Sequence, residues 1–264
     1  VRLAYFAKAG ASEEVQIRVD TAAVQLDPGF VEGGLAAREG STAYKKHLRR
    51  PRSLVFVVDR TWPPMLALAV QACQRVFEQH LTEEDRVAIY TVGAGWDVPF
   101  TTKEGNEEQI QREIRRCGLG VSGESALYRS LRQCVDKLAV EPPRHLKWII
   151  ALTDKADLEG LSSGQAIDAG VADKMRAAAL KTAAALGSVR DVRLCVIDTE
   201  KVSGYEPAHQ LWPIWNENIA TIEREIDAAG NNGHGWVLPL DSLSSLAGAF
   251  SQAVATLEAC DEPL

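Results

Sequence analysis

The chain has 264 residues, 46% hydrophobic and 25% charged, enough to bury a sizeable core without disulfide or metal staples. Its 36 acidic side chains outnumber 29 basic ones, a net charge of −7 that opposes nucleic acid and anionic membranes as partners. No apolar run reaches the roughly 18 residues of a transmembrane helix.

Residues 1–52 differ in texture from the rest and read as an N-terminal extension. Val15, Ile17 and Val19 alternate with polar residues as in a half-exposed edge strand. Asp27-Pro28-Gly29 is a turn signal, and a basic cluster from Lys45 to Arg52 reads either as a solvated linker or as a patch for an acidic partner. Residues 53–264 form the main domain, where strand and helix patterns alternate. The unbroken apolar run Leu54 to Val58 predicts a strand at 53–58 buried on both faces. A helix follows over about 64–80, then strand 86–92, a short strand near 97–101 that could run antiparallel, and helix 106–117. Loop 118–124 leads to helix 125–139, strand 146–152, a long alanine-rich helix over 165–186, and strand 191–197. An irregular insertion over 199–215 holds Trp212 and Trp215, placed either on a partner surface or tucked into the core. Helix 216–229, with Gly230 as C-cap, strand 235–239 and helix 241–258 complete the pattern. Strands separated by helices imply an α/β fold, with a mainly parallel, doubly wound sheet flanked by helices.

Five cysteines, Cys73, Cys117, Cys134, Cys195 and Cys260, show no CxxC spacing, so reduced thiols and a cytoplasmic or other intracellular setting are expected. The chain opens on Val1, which leaves a removed leader open. Gly118 to Gly123 fits GxGxxG, but a helix rather than a strand precedes it, so it does not read as a dinucleotide site. The histidines, His47, His80, His145, His209 and His234, have no companion motif, and no nucleophile elbow or HExxH occurs. The sequence therefore predicts no enzyme.

Three loops carry oxygen ligands: Asp59-Arg60-Thr61-Trp62-Pro63, Ser122-Gly123-Glu124-Ser125, and Leu152-Thr153-Asp154. In a parallel sheet they share the carboxyl-end rim, where ligands of open α/β folds collect. Two carboxylates and two hydroxyls there form a hard-oxygen set of the kind Mg²⁺ prefers. Asp59 and Asp154 also fit a plainer role as helix caps.

With these motifs the chain resembles a von Willebrand factor type A domain over about residues 53–259, a likeness that includes the order of elements and the C-terminal stretch from Ile222 to Phe250. That family's metal-ion-dependent adhesion site uses Asp-x-Ser-x-Ser after the first strand, a loop threonine, and an aspartate after the fourth strand. The resemblance implies metal ligands at Asp59, Thr61, Ser125 and Asp154, and partner-contacting residues at Arg60, Trp62 and Glu124. Pro63 stands where the family has its second serine and supplies no side-chain oxygen, so the site is either a Mg²⁺ site weakened by one ligand or a degenerate one kept for structure. The resemblance implies a non-enzymatic module that binds protein partners through the rim, within a larger assembly and without inserting into membrane. The alternative is a structural subunit with a non-functional metal site, contacting partners by the N-terminal arm or the 199–215 insertion.

Overall fold

The computed structural model describes residues 50–59, 63–93, 95–117, 126–157, 168–202 and 211–259. They form one six-stranded sheet: β1 (Arg52–Val58), β2 (Arg86–Thr91), β3 (Gly95–Thr102), β4 (Leu146–Thr153), β5 (Val192–Asp198) and β6 (His234–Pro239). The strand order is β3-β2-β1-β4-β5-β6, with β3 alone antiparallel to its neighbour. The helices are α1 (Pro63–Gln79), α2 (Glu107–Cys117), α3 (Leu127–Leu138), α4 (Ala169–Ser188), α5 (Trp212–Ala228) and α6 (Leu246–Ala259). The expectations for residues 1–49 lie outside the described residues.

Period-two alternation divides β1 between two cores. Leu54, Phe56 and Val58 join Trp148, Ile150 and Leu152 of β4 under α1, α2 and α6, where Phe77, Ile114 and Phe250 close the layer. Val55 and Val57 face the other way, with Ile149 and Ala151, under α3, α4 and α5. Both faces of the central strands are covered, which is why they read as continuous apolar runs rather than as alternation. The fold is thus the α/β, mainly parallel, Rossmann-like arrangement that the sequence predicts.

The amino ends of the strands are tied by charge. Buried Arg52 lies over the Trp148 ring at 4.0 Å and reaches Glu258 on α6 at 3.1 Å, while its backbone N–H donates to Asp85. Burying an arginine stem while its head finds a carboxylate and an aromatic face keeps the guanidinium solvated by protein.

Helix α5 begins at Trp212, four residues before the sequence-based start at 216. Pro213 lies in its first turn, where the missing N–H loses no helical bond. Trp212 and Trp215 then fall on one helix face, edge to face at 5.1 Å, and are buried with Leu211, Met175, Val171 and Ala156. The tryptophans belong to the core, so they leave the irregular insertion and the partner surface that the alternative reading placed there. The helix ends as expected, with Gly230 at φ 70° just past its last turn.

Strand β6 packs closely against α5. A Cβ built on Gly235 would stand 2.9 Å from the Glu223 Cα, a backbone atom that cannot turn away. Gly235→Ala is therefore expected to lower unfolding free energy by about 1–3 kcal/mol, as overpacking does. Urea denaturation checks this, and an unchanged midpoint would mean that β6 shifts freely on α5.

Candidate functional site

The sheet changes direction of winding at β1. From there the chain moves outward through β2 and β3 on one side, and through β4, β5 and β6 on the other. The crevice beyond the carboxyl ends of β1 and β4 is the topological switch point of such a sheet. Asp59 and Asp154 both stand there. Val58 is registered against Leu152, and the Asp59 N–H donates to the Leu152 carbonyl at 3.0 Å, extending the ladder one step past β1. Both aspartates are buried, at 1% and 3% exposure.

Thr153, the last residue of β4, orients the pair. Its hydroxyl donates to Asp59 Oδ2 at 3.2 Å and accepts the Lys155 N–H at 3.0 Å. Asp154 Oδ1 accepts the Ala156 N–H at 3.0 Å. This turn within its own loop replaces the expected helix cap: the next described helix, α4, takes Asp168 as its N-cap. Burial, and then the negative charge of Asp59, push the Asp154 carboxyl up to about 6, with Asp198 adding to the effect.

Of the sequence-predicted site residues, the described structure brings Asp59 and Asp154 to one edge. Arg60, Thr61, Trp62, Glu124 and Ser125 lie outside the described residues. Ala126, next in the chain after Ser125, pairs with Asp157 in an isolated antiparallel bridge. The Asp157 carboxylate accepts the Tyr128 N–H at 2.7 Å, so the start of α3, whose N-cap Ala126 makes no side-chain bond, is capped from the β4 exit loop.

Sequence reasoning missed Thr153, Lys155, Asp157, Asp198 and Glu200. Asp198 ends β5 as Asp154 follows β4, and the shared pattern of an apolar run closed by aspartate was its signal. Lys155 had no such signal. It is buried, adopts φ 68°, and its ammonium bridges Asp198 at 2.6 Å and Glu200 at 2.7 Å.

Two buried carboxylates that disfavour each other's charge fit a hard cation in kind, since an ion would stabilise both ionised forms. Among the described residues, no group of three histidine, cysteine, aspartate or glutamate side chains is arranged to hold a metal. Any ion at this edge would draw its remaining ligands from hydroxyls, backbone carbonyls or water.

No family model matches the sequence, and no curated protein matches it. Solved structures do. The PilB minor pilin from Streptococcus sanguinis aligns with TM-score 0.53 at 14% identity, over 80% of this chain and 62% of that one. A von Willebrand factor type A protein from Catenulispora acidiphila aligns with TM-score 0.51 at 17% identity, over 79% and 43%. The pilus adhesin SpaC from Lactobacillus rhamnosus GG, in an open conformation, aligns with TM-score 0.52 at 13% identity, over 79% and 30%. The chain spans less than two thirds of each of these structures. At such identities the likeness is one of fold: this chain has a von Willebrand factor type A-like architecture.

The raised Asp154 gives a sign to the site's effect on stability. An unfolded aspartate ionises near 3.8 and the folded one near 6, so Asp154 destabilises the metal-free fold as pH rises between those values, and fully above them. Asp154→Asn should therefore stabilise the chelator-treated protein at neutral pH, by roughly 2–3 kcal/mol. The gain should vanish below pH 3.8. Thermal melts across pH check this, and an equal gain at both ends would assign it to packing rather than charge.

Proposed function

We propose that the chain is a non-enzymatic protein-interaction module that engages its partner through the carboxyl-end rim, with Mg²⁺ bound between Asp59 and Asp154. The observation that supports it is the meeting of two buried aspartates at the switch point, with the Asp154 carboxyl raised by burial and by Asp59. In this reading Thr61 and Ser125 supply hydroxyl ligands, as the von Willebrand factor type A resemblance implies, and water completes the sphere. A Mg²⁺ ion held there would offer an acidic side chain of the partner a hard-cation contact. The chain's own part is to hold the ion: Thr153 fixes the Asp59 carboxylate, and the Ala156 N–H fixes that of Asp154. Arg60, Trp62 and Glu124, flanking the ligands in sequence, would contact the partner.

SpaC is a pilus adhesin by its description, which is in keeping with a binding role on this fold. Cys134 and Cys195 are buried free thiols, and burial raises the Cys195 thiol to about 12, which keeps it inert. We take these thiols as support for an intracellular setting and for membership of a larger assembly. Among the described residues, no helix is long and apolar enough to cross a membrane.

One observation favours a second reading, a structural subunit whose rim binds no metal. Helix α1 starts at Pro63, where the family's second serine would stand, and proline brings no side-chain oxygen. Calorimetric titration with MgCl₂ and MnCl₂ separates the two. The preferred reading expects binding in the wild type. It expects Asp59→Ala to lose more than the roughly 10–100-fold that removing an outer-shell partner costs. Capture of a partner from native extract should fail in chelator and in Asp59→Ala alike. Capture that survives both would leave the structural subunit.

A further inference from the structure

The rim holds a third strand-end carboxylate that the two-aspartate reading does not use. Asp198 closes β5 opposite Thr153, and its charge reaches Asp154. Three adjacent parallel strands, β1, β4 and β5, thus deliver Asp59, Asp154 and Asp198 to one edge. Three carboxylates would suit an ion larger or more highly charged than Mg²⁺, because ligand charge count sets affinity at oxygen sites.

Asp198 is not left to the ion. Lys155 Nζ holds its Oδ2 at 2.6 Å and Glu200 Oε2 at 2.7 Å, and the lysine side chain is only 6% exposed. Asp198 Oδ1 meanwhile accepts the Glu200 N–H at 3.0 Å, so both carboxylate oxygens are engaged. The backbone of Lys155 adopts φ 68°, a region that residues with a Cβ avoid. In that conformation its N–H meets Thr153 Oγ1 at 3.0 Å, and the same oxygen donates to Asp59 Oδ2 at 3.2 Å. One residue therefore reaches Asp59 through its backbone N–H by way of the Thr153 hydroxyl, and Asp198 directly through its side chain.

We propose that Lys155 is a positioning residue that sets the charge of the cation site. By engaging Asp198 and Glu200 and offsetting one of their two charges, it leaves Asp59 and Asp154 to face the ion, matched to a small divalent cation, and keeps the third strand-end carboxylate from joining them. This rests on the reading of the rim as a cation site given above. Lysine suits the task because its ammonium is a point charge on a flexible stem that reaches two carboxylates at once.

The test titrates the chelator-treated full chain with MgCl₂, MnCl₂ and TbCl₃, read by calorimetry and terbium luminescence. Lys155→Met frees Asp198, and Tb³⁺ should bind roughly tenfold tighter or more, with the preference for Mg²⁺ reduced. Lys155→Arg keeps the charge and should stay near the wild type. Lys155→Met combined with Asp198→Asn should return Tb³⁺ affinity toward the wild-type value. Equal Tb³⁺ affinity in wild type and Lys155→Met overturns the role of Lys155 while leaving the cation site standing. So does a gain that persists in the double variant. Silence towards every ion in wild type and Lys155→Met overturns both readings. Should Lys155→Met fail to fold, Asp198→Asn with Glu200→Gln releases the ammonium toward Asp59 and Asp154. Mn²⁺ should then bind roughly tenfold weaker, since a nearby like charge opposes it. Unchanged Mn²⁺ affinity there overturns the proposal.

Discussion

The pairing of β1 with β4 governs both the fold and its rim. These strands neighbour each other in the sheet although two strands and three helices separate them in sequence. Their ladder runs from Arg52 opposite Leu146 to Val58 opposite Leu152, and the Asp59 N–H continues it. Parallel register means that residues leaving the two strands leave at the same edge. A slip of β1 by one position would exchange its two apolar faces, moving Phe56 out of the core it shares with Trp148 and Val55 out of the core it shares with Ile149. Packing on both faces thus fixes the register, and the register fixes where the aspartates meet.

That placement works against stability and is tolerated. Burying Asp154 beside Asp59 raises its pKa, a free-energy cost borne by the fold whenever the carboxyl is ionised. Local hydrogen bonds limit the cost: Thr153 serves Asp59, and the Ala156 amide serves Asp154. At the amino ends, Arg52 with Glu258, Arg86 with Glu141, and Arg50 with Asp191 pair cations with carboxylates, while buried Lys147 is held by the Pro142 and His145 carbonyls.

Much of this was legible in the sequence because it follows from burial. Continuous apolar runs at Leu54–Val58 and Leu146–Leu152 are what a sheet covered on both faces requires, and the aspartates after them mark strand ends. The start of α5 was misjudged because Trp212, Pro213 and Trp215 look like loop residues when proline is read as a breaker. In the first turn proline breaks nothing, and the two indoles find each other across one turn of helix. Lys155 was out of reach for another reason. Nothing in Thr-Asp-Lys announces a left-handed lysine, and the partners of its ammonium lie forty-three and forty-five positions away. The role of Asp157 was hidden likewise, since it caps a helix twenty-nine residues earlier in the chain.

That cap has a consequence for the order in which the molecule assembles. Helices commonly begin with an oxygen from their own first residues, so their ends form by local collapse. Helix α3 instead takes the oxygen for Tyr128 from Asp157, beyond the whole of β4. The bond that caps its first turn therefore exists only once a distant segment has docked, a non-local contact whose loop-closure entropy must be met first. Local loosening at the β4 exit would fray α3 from its beginning, so the two segments are expected to exchange their amide protons as a single unit.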